Sequence, residues 1–278
     1  MHTICLINMK GGVGKTTLTV NLADFLSRRE KNKVLLIDID PQFNTTQCFF
    51  TGEEYVEYLS KEHDTILKIF DDNVKRKIST VSGPSCVETE LKDITPHKIS
   101  DYLHILPGNL ELFKLEMASG SGKENKLKQY IEEISKIEKY DYVLIDTPPT
   151  PSVWMTSALI ACNYYLIPVK PDPISFVGID LLENIVEQKK DAYNLNIKCI
   201  GLIFTMVERS DSIIYQNALQ NVLQDKKWKK LLYNKYLPKR TEIAKLQLEK
   251  RFILDSDDTI TKSALSSIIK ELKDRLNG

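Results

Sequence analysis

The residues best suited to chemistry are Lys10-Gly11-Gly12-Val13-Gly14-Lys15-Thr16-Thr17. Glycines at this density let backbone N–H groups turn inward around phosphate oxygens. A helix opening directly behind them adds the positive end of its dipole. Lys15 is placed to give a point charge to the β- and γ-phosphates of a nucleotide, and Thr16 offers its hydroxyl directly to Mg2+. Mg2+ keeps most of its remaining ligands as water and phosphate oxygen. Gly11, Gly12, Val13, Gly14 and Thr17 complete the cradle. The strict phosphate-loop spacing requires a glycine at position 9, where this chain has Met9. A second lysine, Lys10, stands five residues before Lys15, and one phosphate group cannot use both equally.

Carboxylates end two apolar runs. Val34–Ile37 runs into Asp38, with Asp40 two residues on in Asp38-Ile39-Asp40-Pro41-Gln42. Tyr142–Ile145 runs into Asp146, followed by Thr147-Pro148-Pro149. An acid at the carboxyl end of a parallel strand faces the ligand crevice. Asp146 is so placed to approach Mg2+ through its water shell. Asp is also a common turn former, so Asp38 and Asp40 alone do not define a site.

The elements that must position these residues read as strand, loop, helix, strand. Thr3–Ile7 is apolar, Leu18, Leu22, Phe25 and Leu26 have helical spacing, and Val34–Ile37 is a continuous apolar run. Apolar runs without alternation suit strands buried on both faces of a parallel sheet. The alternation recurs: strands at Tyr142–Ile145, Tyr164–Val169 and Ile197–Val207, helices at Ser152–Ala161, Ser175–Tyr193 and Ser212–Asp225. Lys229–Leu237 reads as a further strand, and Leu265, Ile268, Ile269, Leu272 and Leu276 as a final amphipathic helix. Between Gly52 and Tyr102, Thr65–Phe70 reads as helix, Ser82–Ser85 as loop and Val87–Ser100 as a polar surface excursion. The expected fold is α/β: a doubly wound, mostly parallel sheet flanked by helices, in one domain over residues 1–278.

The loop, the Asp-x-Asp-Pro-Gln segment and Asp146-Thr147-Pro148-Pro149 together resemble the deviant Walker A ATPases, the ParA/MinD family of P-loop NTPases. Leu106–Leu112 (Leu-Pro-Gly-Asn-Leu-Glu-Leu), Ile167–Pro171 and Phe204–Val207 extend the match, which is most similar to the ParA plasmid and chromosome partition ATPases. The resemblance implies a slow, partner- and DNA-stimulated ATPase using ATP and Mg2+. Lys10 would reach across an ATP-sandwich homodimer to the partner's nucleotide. Asp40 would position the attacking water, with Asp38 orienting the loop or sharing the magnesium shell; Asp40 and Asp146 would touch the metal through water. Thr205, Met206 and Pro238 match the segments that hold adenine, although Thr205 equally suits a packed strand. The implied partners are non-specific DNA, bound by the ATP dimer, and a ParB-like centromere-binding adaptor that stimulates hydrolysis. The implied place is cytoplasmic and nucleoid-associated. Larger relatives carry a helix-turn-helix segment before the loop; here the first strand begins almost at residue 1, so the short type is expected.

Composition limits the alternatives. The chain has 278 residues with Lys+Arg 38 and Asp+Glu 38, so a uniformly basic nucleic-acid coat is excluded while a local basic face is not. Such a face is suggested by residues 226–251, which hold ten Lys or Arg against Glu242 and Glu249. The DNA-binding candidates are Arg209, Lys227, Lys230, Lys239 and Arg240; a charge run is otherwise only a solvated face. The competing reading is a MinD-like membrane- or protein-positioning ATPase. The last helix argues against a membrane: its apolar face lacks Phe and Trp, and Glu271 and Asp274 sit among its bases. Cys5, Cys48, Cys86, Cys162 and Cys199 show no CxxC spacing, which disfavours a cluster-carrying reductase, a zinc site or a redox motif. The four histidines show no metal-ligand spacing.

Overall fold

The computed structural model describes residues 1–70, 90–117, 122–172 and 175–278. The loop reading at Ser82–Ser85, Cys86 and the first residues of the polar excursion lie outside the described residues. Seven strands form one sheet: β1 (His2–Leu6), β2 (Val34–Asp38), β3 (His97–Lys98), β4 (Leu103–Leu106), β5 (Tyr142–Asp146), β6 (Tyr164–Val169) and β7 (Lys198–Phe204). Their order is β3-β4-β2-β5-β1-β6-β7. Every described neighbour pair is parallel except β3 with β4, an antiparallel pair at the edge.

The helices are α1 (Lys15–Arg28), α2 (Asn44–Gln47), α3 (Gly52–Ser60), α4 (Leu67–Phe70), α5 (Leu112–Met117), α6 (Lys126–Ile137), α7 (Val153–Ala161), α8 (Ser175–Tyr193), α9 (Ile213–Gln224), α10 (Lys226–Leu231), α11 (Thr241–Leu248) and α12 (Thr259–Asn277). They cover both faces, as a doubly wound α/β fold requires. In β1, Ile4 and Leu6 join a core with α1 and α12, while Cys5 packs into the opposite core with α6 and α7. In β2, Leu36 joins the first core, and Leu35 and Ile37 the second. All five residues of β2 and of β5 are buried, which is why both read as unbroken apolar runs. A truncation such as Leu36→Ala, at a fully buried position, should cost about 2–5 kcal/mol.

The expected strand at Lys229–Leu237 is corrected. Residues up to Leu231 continue as α10, because Asp225 caps that helix: its Oδ1 accepts the amides of Lys227 (2.8 Å) and Trp228 (2.9 Å). Trp228 is buried as the anchor of this turn. The remainder runs beside β7 with only isolated bridges, Leu202 to Leu232 and Val207 to Pro238. Two strands and two long helical turns were hidden in less periodic sequence: β3 and β4, and helices α3 and α6. The final helix is spent in the core. Leu265, Ile268, Ile269 and Leu272 are buried, and Arg275 donates to the carbonyls of Ile200, Leu231 and Leu232 at 3.1, 2.7 and 2.8 Å. No described helix is long and apolar enough to cross a membrane.

Candidate active site

Register brings the acids together. β1 pairs Leu6 with Asp146, and β2 pairs Asp38 with Asp146, so three strand ends stand side by side. The chain leaves β1 through the glycine loop and α1 and returns at β2, leaving a slot that β5 later fills. The first connection from β1 runs toward β2 and the later ones toward β6 and β7 on its other side, and such a reversal of strand order opens a crevice at the carboxyl ends.

The loop closes over that crevice. Gly14 is the N-cap of α1 with φ 80°, and Gly12 has φ 70°, conformations that glycine reaches without strain. A Cβ at Gly11 or Gly12 would meet open space, and at Gly14 it would press within 3.4 Å of Met206 Cγ. The open space is a cavity of about 270 Å3, lined by Gly11 through Thr17, by Asp40 and Gln42, and by Pro149 and Met206. Backbone amides, a buried ammonium and a hydroxyl converge there, the donor set that a nucleotide phosphate with its magnesium ion requires. Among the described residues no three His, Cys, Asp or Glu side chains cluster as a metal cage.

Asn8 organises the two lysines. Its carbonyl accepts Lys15 Nζ at 3.0 Å, its Oδ1 accepts the Lys10 amide at 2.9 Å, and its Nδ2 donates to Pro168 O at 2.8 Å. Burial pulls the Lys15 ammonium down from its ordinary pKa, while Asp146 and Asp40 push it back up. The Lys10 ammonium lies against the Asp172 carboxylate.

The acids divide their work. Asp146 is fully buried and accepts the hydroxyls of Thr16 (2.7 Å) and Thr45 (2.8 Å) on Oδ2. Asp38 is also fully buried; its Oδ2 accepts both the amide (2.8 Å) and the hydroxyl (2.7 Å) of Thr46. Thr46 Oγ1 in turn accepts the Gly108 amide at 2.7 Å. Asp38 is therefore tied to the loop that follows it. Gly108 is required for closeness: a Cβ there would sit 2.7 Å from Phe43 Cβ and 3.0 Å from the Asp38 carboxyl. Asp40 lies on the cavity wall, its Oδ1 accepting the Gln42 amide at 2.9 Å. Burial raises the pKa of all three carboxyls, and the neighbouring Asp146 charge adds to the rise at Asp38.

The remaining candidates separate. Met206 lines the phosphate cavity, at φ 55°. Thr205 is fully buried and its hydroxyl donates to Val13 O, so its one proton holds the loop rather than facing a base. Pro238 lies beside Val207 on a different cavity of about 540 Å3, with Tyr236, Arg240 and Ile260. The basic candidates are mostly paired within the chain: Arg209 with Asp211 (2.7 Å), Lys227 with Glu183, Lys239 with Glu208 (2.6 Å) and Arg240 with Asp258 (2.8 Å). Lys230 is exposed and has no ion-pair partner among the described residues. Sequence reasoning missed Asn8, Thr45, Thr46 and Gly108. Gly108 alone had a signal, in the Leu-Pro-Gly-Asn-Leu-Glu-Leu segment.

A glycine loop between β1 and α1, with acids closing β2 and β5, defines a P-loop nucleotide-binding protein of deviant Walker A type. Comparison with known proteins narrows this. The AAA domain family matches residues 1–199. An uncharacterized protein of Methanocaldococcus jannaschii is 34% identical over 81% of this chain and 80% of its own. The sporulation initiation inhibitor protein Soj of Bacillus subtilis is 28% identical, covering 82% and 83%. A candidate plasmid partition protein of Borrelia burgdorferi, bound to AMPPNP, shares the fold with a TM-score of 0.73 at 22% identity, covering 99% and 97%. The chain belongs to the AAA domain family, and its relatives include proteins named ParA and Soj.

Proposed function

We propose that this chain is an ATP-driven partition switch. ATP occupies the glycine loop, two ATP-loaded copies form a sandwich dimer, the dimer binds DNA without sequence preference, and hydrolysis releases it. Lys15 holds the phosphates within its own subunit, and Lys10 neutralises charge on the partner's transferring phosphate, as an arginine finger does in trans. Thr16 would hold Mg2+ directly, with Asp146 and Asp40 behind its waters. That ion supplies charge neutralisation at the phosphate oxygens. Asp40, on the cavity wall, orients the attacking water. A ParB-like adaptor speeds the step, and the working place is the nucleoid in the cytoplasm.

The observation that carries this reading is the pair of lysines on one loop, both tied to Asn8, with Lys15 on a cavity that Asp40 also lines, beside the paired strand-end acids Asp38 and Asp146. Loss of γ-phosphate contacts on hydrolysis is the general way such dimers are undone.

The test is binding to non-specific duplex DNA with ATP, with ADP and without nucleotide, at two salt concentrations. The expected result is salt-sensitive binding with ATP alone, absent in Lys15→Ala and prolonged in Asp40→Ala. No binding in any state overturns the DNA switch and moves the reading to a protein-positioning ATPase of the same family.

A further inference from the structure

Among the described residues, one carboxylate pairs with Lys10. Its ammonium lies against Asp172, three residues past the end of β6. The end of β6 itself also holds its backbone: Pro168 O anchors Asn8 Nδ2 (2.8 Å), and Asn8 Oδ1 accepts the Lys10 amide (2.9 Å). The end of β6 and the connection leaving it thus hold Lys10 twice, by backbone through Asn8 and by charge through Asp172. The lysine side chain is 43% exposed and the carboxylate 20%, so the contact sits at the surface, where a second copy can compete for it.

We propose that Asp172 is a positioning residue that latches Lys10 in cis in the nucleotide-free subunit and gives it up when the partner's bound nucleotide arrives. The inference rests on the sandwich-dimer reading. A lysine held by its own carboxylate cannot at the same time face a phosphate across an interface. Dimerisation therefore has to break two such latches, one per subunit. Phosphates carry more charge than one carboxylate, which makes the exchange run one way only when a nucleotide is present. Asp172 so raises the nucleotide threshold for dimer formation and keeps the unloaded protein apart.

Two measurements test this on the full chain, each with Asp172→Asn and Asp172→Glu. The first is the rate at which Lys10 is acylated by an N-hydroxysuccinimide acetate in nucleotide-free protein, read by peptide mass spectrometry. Asp172→Asn should acylate Lys10 several-fold faster, and Asp172→Glu should stay near wild type. The second is the dimer dissociation constant in Mg2+ and AMPPNP by analytical ultracentrifugation. Exposed pairs are individually weak, so removing two should tighten the dimer by about two- to thirtyfold in Asp172→Asn. Asp172→Glu should again restore wild-type behaviour, and Asp172→Asn should add nothing in a Lys10→Ala background. Unchanged Lys10 acylation overturns the latch whatever the dimer does. Faster acylation with an unaltered dimer constant overturns its regulatory role while leaving the dimer reading standing. If wild type and Asp172→Asn both stay monomeric in AMPPNP, the sandwich reading fails, and the switching role of Asp172 fails with it.

Discussion

The carboxyl edge of the sheet and the basic quarter after Asp225 hold charge in opposite ways. At the sheet edge, Asp38 and Asp146 are fully buried, stand at paired positions and are wired to Thr46, Thr16 and Thr45. In the basic quarter, Lys239 and Arg240 pair with Glu208 and Asp258. Both of those cations keep substantial exposure, 42% and 35%. Burial makes every contact at the first region expensive to leave unmade. Solvent screens the second, where pairs are worth ~0–1 kcal/mol. Two buried carboxyls held side by side mark a place suited to a countercharge. Opposite charges paired in water describe a surface first, and a partner only by further test.

The comparison breaks most sharply at Lys15 and Asp40. Lys15→Ala removes a buried ammonium from the cavity wall and should cut ATP hydrolysis by on the order of 10²-fold or more, with nucleotide binding lost alongside. Asp40→Ala should lower kcat by about 10²–10⁴-fold while leaving nucleotide binding intact, as measured by phosphate release and by fluorescent-ATP titration. Equal hydrolysis in Asp40→Ala and wild type would remove Asp40 from the mechanism.

A second test uses stability. Asp146 has its folded pKa raised above 3.8 by burial. The native state then binds its proton more tightly than the unfolded chain, so this carboxyl costs stability as pH climbs above that value. Asp146→Asn keeps the shape, can still accept from Thr16 and Thr45, and removes the charge. Without nucleotide it should raise stability by about 1–3 kcal/mol at pH 8, the size of a buried polar penalty. That gain should shrink toward pH 4, and hydrolysis should be lost throughout. Denaturant melts at both pH values decide it; a variant destabilised equally at each would mean that Asp146 is a structural acceptor and nothing more.

The two regions also differ in how legible they were. The glycine loop could be read because its eight residues are contiguous and local spacing carries the chemistry. Asp38, Asp40 and Asp146 could be read because each lies at or just beyond the end of an apolar run, and burial on both faces writes that run into the sequence. Thr45 could not, since its acceptor Asp146 is 101 residues away. Gly108 is needed only because Phe43 and Asp38 crowd it from other segments. The pairing within the basic run could not be read for the mirror reason: Glu183, Glu208 and Asp258, which pair with Lys227, Lys239 and Arg240, come from other parts of the chain. The strand β4 escaped because its four residues lie next to a polar stretch and include His104.

A smaller effect separates the basic residues from one another. Lys230, exposed and with no ion-pair partner among the described residues, should matter more for DNA than Arg240, which is bound to Asp258. If Lys230 meets a phosphate, Lys230→Ala reduces the slope of log K against log salt by about one. Arg240→Ala should change that slope less, while loosening the start of α12 that Asp258 caps.

The finest distinction lies in the pair Lys239 and Glu208, at 2.6 Å. If Lys239 contacts DNA, it must leave Glu208 to do so, and the carboxylate is then a competitor of the phosphate. Lys239→Ala should weaken ATP-dependent DNA binding a few-fold and lower the salt slope by about one. Glu208→Gln should do the reverse, strengthening binding by about two- to fivefold, because the lysine no longer pays for a broken pair worth ~0–1 kcal/mol. If the pair only closes the surface beside β7, Lys239→Ala leaves both affinity and slope unchanged. Glu208→Gln then shifts affinity no more than any distant removal of one negative charge. Opposite signs from the two substitutions would place the DNA face next to Val207 and Pro238, whereas two null results would move it off this quarter of the chain altogether.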